Sequence, residues 1–455
     1  MRFTTAAVAS ATGGEASGDA VADGATIDSR GDARDRLFVA IVAERDGHDF
    51  VGAAVAAGSA AVLVDRPVEV PGAAVVRVHD TARGLRDLGR AARARLGGQV
   101  VGITGSVGKT TVKDLCAGAL SGSARVVASE RSFNNELGVP LTLVNAPEDT
   151  EVAVLEMGAR GPGHIAALCE VAEPTVGVVT AVAAVHTETF GTIDGVARAK
   201  SELVAALPAS GTAILNADDD RVAAMAAVTS AQVLRFGLAA GARGADVRAE
   251  DVVLDDGLRA AFTLRTPWGS APVHLGVRGH HQVANALAAA AAALTVGAPI
   301  EAVAAGLAVP PASPWRMALG RSASGLQVLN DAYNANPTSM GAALRSLAAL
   351  PARRRIAYLG TMAELGPGGP GAHAEVARLG STLGITVVAV GESAYATDLV
   401  DDVEAALAHA VTLDLAEGDA VLVKASRVAG LERLAAELLG AEVDRRGGAS
   451  RASQG

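Results

Sequence analysis

A glycine-containing segment at residues 104–111, Thr-Gly-Ser-Val-Gly-Lys-Thr-Thr, constrains the fold of this chain more than any other stretch. It follows an apolar run at 100–104 that predicts a buried strand, and it opens a helical stretch. In that context glycine lets backbone N–H groups approach phosphate oxygens, and the helix N-terminus favours negative charge. We therefore predict a phosphate-binding loop in which Lys109 reaches the β- and γ-phosphates and Thr110 holds Mg²⁺. Ile103 stands where the full motif has glycine, so the loop is a shortened variant; a plain glycine turn is the alternative.

Strand-like and helix-like runs alternate along the chain, which predicts an α/β fold with parallel sheets covered on both faces. A chain of 455 residues suggests about three domains. We expect a small α/β domain at 1–95, a central parallel-sheet domain of P-loop type at 96–311, a Rossmann-like domain at 312–443 and a disordered tail at 444–455. Hydrophobic residues make up 50% of the chain and aromatic residues only 3%, so the cores must consist mainly of Ala, Val and Leu.

The predicted strands are short apolar runs between helical stretches. They lie at 37–41 and 61–64 in the first domain, at 100–104, 152–155, 176–180 and 213–215 in the second, and at 356–360, 387–390 and 421–423 in the third. Predicted helices at 81–96 and 280–294 border the central domain.

Net charge, cysteine content and hydropathy disfavour several classes of protein. The formal charge of −10 argues against a nucleic-acid partner, which requires a basic face. Two cysteines in so long a chain form no disulfide framework, so we expect a reducing compartment and a cytoplasmic protein. The first residues lack the apolar core of an export signal. The Ala-rich run at 283–296 contains Asn285, which predicts a buried helix and no membrane insertion.

Lysine is rare, since only 4 of the 39 basic residues are Lys. A lysine kept among so many arginines can mark chemistry that a guanidinium group cannot perform. Lys109 has such a place in the phosphate loop, and Lys200 and Lys424 are candidates, whereas chance retention is the favoured explanation for Lys113.

Two candidate metal ligands follow the predicted central strands, at the sheet edge where α/β proteins bind ligands. Glu156 closes the run at 152–155 and is a candidate for the same Mg²⁺ as Thr110. His186 follows the run at 176–180 and is a candidate for a second divalent ion. An ordinary exposed position is the alternative for Glu156, and a structural or surface role is the alternative for His186.

Several of these segments resemble the central domain of the Mur ligase family. They are residues 102–111, Asn134-Asn135-Glu136, Glu156-Met157-Gly158, His186-Thr187-Glu188 and Ala199-Lys200-Ser201-Glu202, and Gly279-His280-His281 with Asn285 resembles the family's adenine-binding helix. In the third domain, Asp331-Ala332-Tyr333-Asn334-Ala335-Asn336-Pro337 resembles the signature of one branch, the ligases that join D-alanyl-D-alanine to UDP-N-acetylmuramoyl-tripeptide. The motifs follow the family order from about residue 26 to 430.

The resemblance implies an enzyme that uses ATP to form a peptide bond through an acyl phosphate, in peptidoglycan biosynthesis. Its first domain would bind the UDP group, its partners would be those two small-molecule substrates, and we expect a monomer. Its cofactors would be ATP and two Mg²⁺ ions, with Lys200 carbamylated. Arginine could not replace that lysine, because a guanidinium group stays protonated and cannot attack CO₂.

The resemblance also implies roles for individual residues. Lys109, Lys200, His186 and Arg316 are expected to be catalytic, and the expected metal ligands are Thr110, Glu156, His186 and carbamylated Lys200. ATP is expected to contact Gly105, Ser106, Val107, Gly108, Lys109, Thr110, Thr111, Asn285, Arg316 and Asp331. The other substrates are expected to contact Ser29, Arg30, Asp46, Gly47, His48, Asn134, Asn135, Asn334, Asn336 and Ser426. Capping or turn roles are the alternative for Asn134 and Asn135.

Two motifs depart from the family pattern, and other functions stay open. Thr361 stands where Leu-Gly-Asp-Met has Asp, and Ala425 stands where Lys-Gly-Ser-Arg has Gly, which leaves the details of dipeptide recognition open. A sister ligase that adds the third amino acid usually carries Tyr-Ala-His-Thr-Pro, unlike residues 333–337 here. A folate polyglutamylating enzyme lacks a first domain of this kind. The remaining alternatives are an inactive homologue and a nucleotide switch that uses only the phosphate loop.

Overall fold

The computed structural model describes residues 1–130, 133–184, 187–238, 244–311 and 313–440. Strands in these ranges form three large sheets and one two-stranded ribbon. His186 and the predicted tail at 444–455 lie outside the described residues. No helix in the described ranges has the length and apolar content needed to cross a bilayer.

The first part of the chain folds into a small α/β unit. Its elements are β1 Arg2–Thr4, α1 Thr5–Thr12, β2 Glu15–Ser17, β3 Val21–Asp23, β4 Ala25–Thr26, β5 Leu37–Val39, α2 Val51–Ala56, β6 Ala61–Val64, β7 Ala74–Arg77 and α3 Thr81–Arg95. The sheet has the order β2-β7-β6-β5-β4, with β2 antiparallel and the rest parallel, while β1 and β3 form the ribbon. Helix α3 begins at its Asp80 cap, which accepts from the Arg83 N–H, and it buries Leu85, Leu88 and Ala92 along one face.

The central sheet has nine strands. Its elements are β8 Gln99–Thr104, α4 Lys109–Leu120, β9 Val126–Ala128, α5 Gly138–Val144, β10 Val152–Glu156, α6 His164–Ala172, β11 Val176–Val179, α7 Thr187–Phe190, α8 Ile193–Ala205, β12 Thr212–Asn216, α9 Asp220–Ala223, β13 Gln232–Gly237, β14 Val247–Leu254, β15 Arg259–Thr266, β16 Gly269–Arg278, α10 Gln282–Thr295 and α11 Ile300–Leu307. The order is β16-β15-β14-β13-β12-β11-β8-β10-β9. All neighbouring pairs among β8 to β14 are parallel. Strands β15 and β16 extend the sheet beyond β14 through antiparallel pairs.

The third sheet has six strands. Its elements are β17 Ala318–Arg321, β18 Gln327–Asn330, α12 Pro337–Ala349, β19 Arg354–Leu359, α13 Gly369–Thr382, β20 Thr386–Val390, β21 Asp398–Val400, α14 Val403–Thr412, β22 Asp419–Lys424 and α15 Glu432–Leu438. The order is β17-β18-β22-β19-β20-β21, and only the edge strand β17 runs antiparallel to its neighbour.

The cores are built from small aliphatic side chains. One cluster joins the first sheet to one face of the central sheet and includes Leu63, Leu85, Leu155 and Leu203. The other face packs on α4 and α10, and every residue from 286 to 293 of α10 is fully buried. Two separate clusters cover the faces of the third sheet. The first two sheets therefore share a core, and the third has its own.

The observed α/β fold confirms the predicted class, but several strands were not predicted, among them β9 and β13 to β16 of the central sheet. Strand β6 matches the predicted run at 61–64, and the other predicted strands differ by up to two residues at an end. Strands β14 to β16 were not predicted. They alternate buried and exposed positions and carry charged residues such as Arg248 and Arg265, so they lack the continuous apolar runs of the parallel strands.

Candidate active site

A cleft of about 2410 Å³ lies at the carboxyl ends of the central strands and is lined by residues from all three sheet units. Most of the predicted site residues line it. They are Arg30, the phosphate loop from 105 to 111, Asn134, Asn135, Glu156, Lys200, Asn285, Arg316, Asp331, Asn334 and Asn336. The predicted residues Ser29, Asp46, Gly47, His48 and Ser426 are not among the lining residues, and His186 lies outside the described part of the chain.

The phosphate loop connects β8 to α4 through two glycines with left-handed φ values. Gly105 has φ 147°, and a Cβ atom there would lie 1.9 Å from Thr180 Oγ1 at the end of the neighbouring strand β11. Thr180 Oγ1 in turn donates to the Val107 carbonyl at 2.5 Å. Gly108, with φ 85°, precedes the first turn of α4 and packs under the Asn285 amide, where a Cβ atom would lie 2.4 Å from Oδ1. Only glycine fits these two positions.

Lys109 folds back over the loop, and its Nζ donates to the Gly105 carbonyl at 2.8 Å. Burial lowers the pKa of Lys109, the positive charge of Arg316 lowers it further, and the carboxylate of Glu156 opposes both effects. An ammonium group held over the loop by this carbonyl provides positive charge where phosphate oxygens would lie.

A chain of hydrogen bonds crosses the cleft through Thr110. Thr110 Oγ1 donates to Glu156 Oε2 at 2.7 Å, and Asn134 Nδ2 donates to the other carboxylate oxygen at 2.8 Å. From the third sheet, Arg316 Nη2 donates to Thr110 Oγ1 at 2.9 Å. Residues separated by as many as 206 positions in sequence thus meet at one hydroxyl group.

The Thr110 and Glu156 oxygens fit one edge of a magnesium site. Octahedral Mg²⁺ binds oxygens at about 2.0–2.1 Å, which puts adjacent ligands about 2.9 Å apart. The observed separation of 2.7 Å is close to that value, and both groups are oxygen donors that Mg²⁺ prefers. Within the described ranges, no three His, Cys, Asp or Glu side chains gather as metal ligands.

Lys200 is buried on α8, with 2% of its surface exposed, and faces the same cleft. Burial, aided by the charge of Lys109, lowers its pKa to about 7, while Glu202 and Glu156 oppose the shift. A lysine with its usual pKa has only about one neutral amine in a thousand near pH 7.5, whereas a pKa lowered to about 7 makes the neutral form of Lys200 far more abundant. A neutral amine is the form that attacks CO₂, so Lys200 has the chemistry that carbamylation requires.

The predicted substrate residues of the first sheet form two local networks. Arg30 pairs with Asp28, with Arg30 Nε 2.9 Å from Asp28 Oδ1, and both residues line the cleft. His48 Nδ1 lies 2.7 Å from Asp46 Oδ1, and His48 Nε2 lies 3.1 Å from both the backbone nitrogen and the Oδ1 atom of Asp65, so the ring is held on both sides. Hydrogen bonds from the His48 backbone and ring, with Arg66, lower the Asp46 pKa to about 2.

The predicted asparagines and Ser426 have defined structural partners. Asn135 Oδ1 accepts the Gly138 N–H at the start of α5, and Asn336 caps α12 in a reciprocal capping box with Ser339. Ser426 Oγ accepts the Ala363 N–H at 3.0 Å and thereby ties down the loop that contains Thr361. Asn135 and Asn336 therefore shape the cleft through backbone contacts, which for Asn135 agrees with the capping alternative, whereas Asn134 donates to Glu156.

Lys113 and Thr180 support the site and were not predicted to do so. Lys113 Nζ donates to the Ser129 carbonyl at 2.7 Å from a buried position on α4, and Ser129 Oγ accepts the Glu156 N–H. Burial and these contacts argue against chance retention of this lysine. The scarcity of lysine was the only sequence signal for Lys113, and no local pattern marked Thr180 as the support of the phosphate loop.

Comparison with known proteins places this three-sheet α/β chain among the ATP-dependent ligases that form C–N bonds. The chain belongs to the Mur ligase family: residues 103–293 match the Mur ligase middle domain and residues 315–427 match the Mur ligase, glutamate ligase domain.

Within that family, the relatives are UDP-N-acetylmuramoyl-tripeptide--D-alanyl-D-alanine ligases. The chain is 42% identical to the one from Mycobacterium bovis, over 90% of this chain and 91% of that protein. It is 37% identical to the Escherichia coli enzyme, over 91% and 93%. The crystal structure of MurF from Acinetobacter baumannii matches with a TM-score of 0.88 at 31% identity, over 97% of this chain and 99% of that one. MurF ligase from Thermotoga maritima in complex with ADP matches with a TM-score of 0.79 at 27% identity, over 93% and 98%.

Proposed function

We propose that this chain is a MurF-type ligase, which joins D-alanyl-D-alanine to UDP-N-acetylmuramoyl-tripeptide and converts ATP to ADP and phosphate. The product is UDP-N-acetylmuramoyl-pentapeptide, a precursor of peptidoglycan. Relatives of that name cover nearly the whole chain, and the similarity includes the first sheet, where the UDP group would bind.

One structural observation carries the proposal: the hydrogen-bond chain from Glu156 through Thr110 to Arg316 at the mouth of the phosphate loop. It gathers an acidic, a hydroxyl and a guanidinium group from two different sheets around the place where a terminal phosphate would lie. A nucleotide switch that uses only the phosphate loop has no need of Arg316 or of the third sheet.

The reaction needs activation of a carboxylate, because a carboxylate itself has no good leaving group. Transfer of the γ-phosphoryl group from ATP to the tripeptide carboxylate gives an acyl phosphate and ADP. The amine of D-alanyl-D-alanine then attacks the acyl carbon, phosphate leaves, and the amine loses a proton. Lys109 and Arg316 would neutralise charge that grows on the transferring phosphoryl oxygens. Closure of the cleft would exclude water, which would otherwise hydrolyse the acyl phosphate.

Magnesium and the modified lysine belong to the proposal as well. Thr110 and Glu156 would hold a first Mg²⁺ ion, and carbamylated Lys200 with His186 would hold a second. Bound Mg²⁺ supplies positive charge that clamps phosphate oxygens and orients the carboxylate. The low pKa of Lys200, about 7, supports carbamylation because the amine must be neutral to react with CO₂.

We also propose the domain boundaries, the cellular location and the oligomeric state of this chain. Domain boundaries near residues 95 and 311 agree with the limits of the three sheets, since α3 ends at Arg95 and β17 begins at Ala318. A cytoplasmic monomer is our proposal for location and oligomeric state. Both cysteines are free and buried, which suits a reducing compartment.

The test is phosphate release and product mass, measured with ATP, UDP-N-acetylmuramoyl-tripeptide and D-alanyl-D-alanine, with each component omitted in turn. We expect full turnover and a pentapeptide product only when all three are present. Phosphate release that is independent of the tripeptide substrate, or that yields no amide product, would refute the proposal.

A further inference from the structure

Lys424 occupies the carboxyl end of β22 in the third sheet and is 2% exposed. Its Nζ donates to Asp331 Oδ2 at 2.5 Å and to the Asn334 carbonyl at 2.8 Å. The ammonium group therefore neutralises Asp331 and holds the loop that follows β18. A compact group with three donors suits this pocket, whereas a planar guanidinium does not.

Asp331 also holds the segment that contains Arg316 in place. Its second oxygen, Oδ1, accepts the Met317 N–H at 3.0 Å, directly after Arg316 in the chain. The Asp331 backbone is itself fixed, because its N–H donates to the Val423 carbonyl next to Lys424. Both carboxylate oxygens thus have partners within the third sheet.

The backbone around Arg316 needs such support. Trp315 has φ 57° and Met317 has φ 53°, both in the left-handed region that residues other than glycine seldom adopt. Conformations of this kind persist where surrounding contacts hold them. Here the hydrogen bond from Met317 to Asp331 is such a contact.

The side chain of Arg316 is directed by these constraints toward the phosphate loop. Its guanidinium group lies 4.1 Å from the centre of the Tyr333 ring, and its Nη2 donates to Thr110 Oγ1. An unbroken series of contacts therefore runs from Lys424 through Asp331 and Met317 to Arg316 and Thr110.

We propose that Lys424 is a positioning residue for the ligase reaction, which acts through Asp331 and Met317 to keep Arg316 directed at the transferring phosphoryl group. The inference rests on the proposed function and assigns a role to a residue whose ammonium group is held by the Asp331 carboxylate and the Asn334 carbonyl. Loss of Lys424 leaves the Asp331 carboxylate without its cation and frees the strained turn, so Arg316 loses its direction.

A double-mutant cycle tests the route of action. We expect Lys424→Met to lower kcat by about 10–100-fold with a smaller change in the KM for ATP, and Arg316→Met to have a similar effect. The double variant should be no slower than Arg316→Met alone, because Lys424 acts only through Arg316. Effects that multiply in the double variant would overturn the proposal.

The matched control is Arg354→Met. Arg354 and Arg353 both pair with Asp419, whose side chain is fully buried at the other end of the same strand, so the variant removes one of the two cations of an ion pair in β22. We expect Arg354→Met to lower the melting temperature but to keep kcat near that of the wild type. A loss of kcat equal to that of Lys424→Met would mean a general effect of sheet stability and would refute the specific role.

A spectroscopic readout separates this inference from the proposed function. The chain has two tryptophans, and Trp268→Phe leaves Trp315, next to Arg316, as the sole emitter. In that background Lys424→Met should shift the emission of Trp315, while Arg354→Met should not. If the unaltered chain forms no pentapeptide, the proposed function fails, and the fluorescence still decides whether Lys424 holds this turn. Unchanged emission in Lys424→Met would overturn the inference even in an active ligase.

Discussion

Lys200 shows how a single residue acquires chemistry from its surroundings. Burial, together with the charge of Lys109, lowers the pKa of its amine to about 7, which favours the neutral form that reacts with CO₂. Replacement by arginine keeps a positive charge and a similar length but removes the amine. The functional test of this site is therefore a substitution that would count as conservative at most surface positions.

We expect Lys200→Arg to lower turnover by about 10²–10³-fold, since the carbamate oxygens would be lost from the metal site. The matched control is Arg198→Lys, which puts a lysine at an exposed position two residues earlier on the same helix and should be fully active. Steady-state phosphate release measures the effect, and ¹³C NMR in labelled bicarbonate should show a carbamate signal that Lys200→Arg lacks. Near-normal turnover of Lys200→Arg would exclude the carbamate role.

The same residue should make stability depend on pH. The pKa of Lys200 is about 7 in the folded chain and about 10.4 when unfolded, so the unfolded state binds more protons between these values. Stability from this group therefore rises with pH across that window. In CO₂-free buffer, urea titration gives the free energy of unfolding of the wild type and of Lys200→Met. The value of the wild type should rise relative to that of the variant between pH 7 and 9. A constant difference would contradict the low pKa.

Gly105 allows an equally local test of the phosphate loop. A Cβ atom at Gly105 would collide with Thr180 Oγ1 and would require a left-handed φ of 147°. We expect Gly105→Ala to weaken binding of a non-hydrolysable ATP analogue at least about tenfold, or roughly 1.4 kcal/mol, by calorimetry. Gly122→Ala, where nothing lies within 4 Å of the new Cβ, is the matched control and should bind normally.

At the scale of elements, the packing of α11 on α4 depends on two glycines. A Cβ atom on Gly306 would lie 2.2 Å from the Gly118 carbonyl oxygen, a backbone atom that cannot move without shifting α4. We expect Gly306→Ala to lower the free energy of unfolding by about 1–3 kcal/mol in a denaturant titration. Gly52→Ala, on the open face of α2, should be neutral or slightly stabilising, and equal losses in both variants would show that close packing is not the cause.

Elements that depend on local pattern were predictable from sequence, and those that depend on tertiary contacts were not. The loop at 104–111 and the buried strands β8, β10 and β11 have apolar runs and glycines that local physics can interpret. Strands β14 to β16 have one exposed face, so charged residues interrupt their pattern. The supports of the site act across long separations, such as the 73 residues between Val107 and Thr180, and no local signal encodes them.

In the whole molecule, the first sheet is joined to the central one by a shared core and by the side chain of Asn145. Asn145 Oδ1 accepts the Ala25 N–H at 2.8 Å and an Arg36 N–H at 3.0 Å, and its Nδ2 donates to the Ala25 carbonyl at 3.0 Å. Ala25 directly precedes the segment that lines the cleft from Thr26 to Asp28. The Asn145 amide is thus one of the contacts that hold this part of the cleft lining relative to the phosphate loop.

We expect Asn145→Ala to raise the KM for the UDP-linked substrate by roughly tenfold, because loss of hydrogen bonds worth about 1 kcal/mol each loosens the first sheet. The KM for ATP should stay near its original value, since the phosphate loop lies in the central unit. Steady-state kinetics with each substrate varied in turn gives both constants. A parallel rise in both would indicate general unfolding instead.

The two native cysteines, Cys116 and Cys169, are both buried, and burial raises the pKa of each thiol to about 12. Neither forms thiolate at neutral pH, so alkylating dyes have no native target in the intact fold. Paired cysteines introduced on opposite rims of the cleft would accept fluorophores on an otherwise natural chain. Opening and shutting of the ligase could then be followed in real time by energy transfer, without prior removal of any native residue.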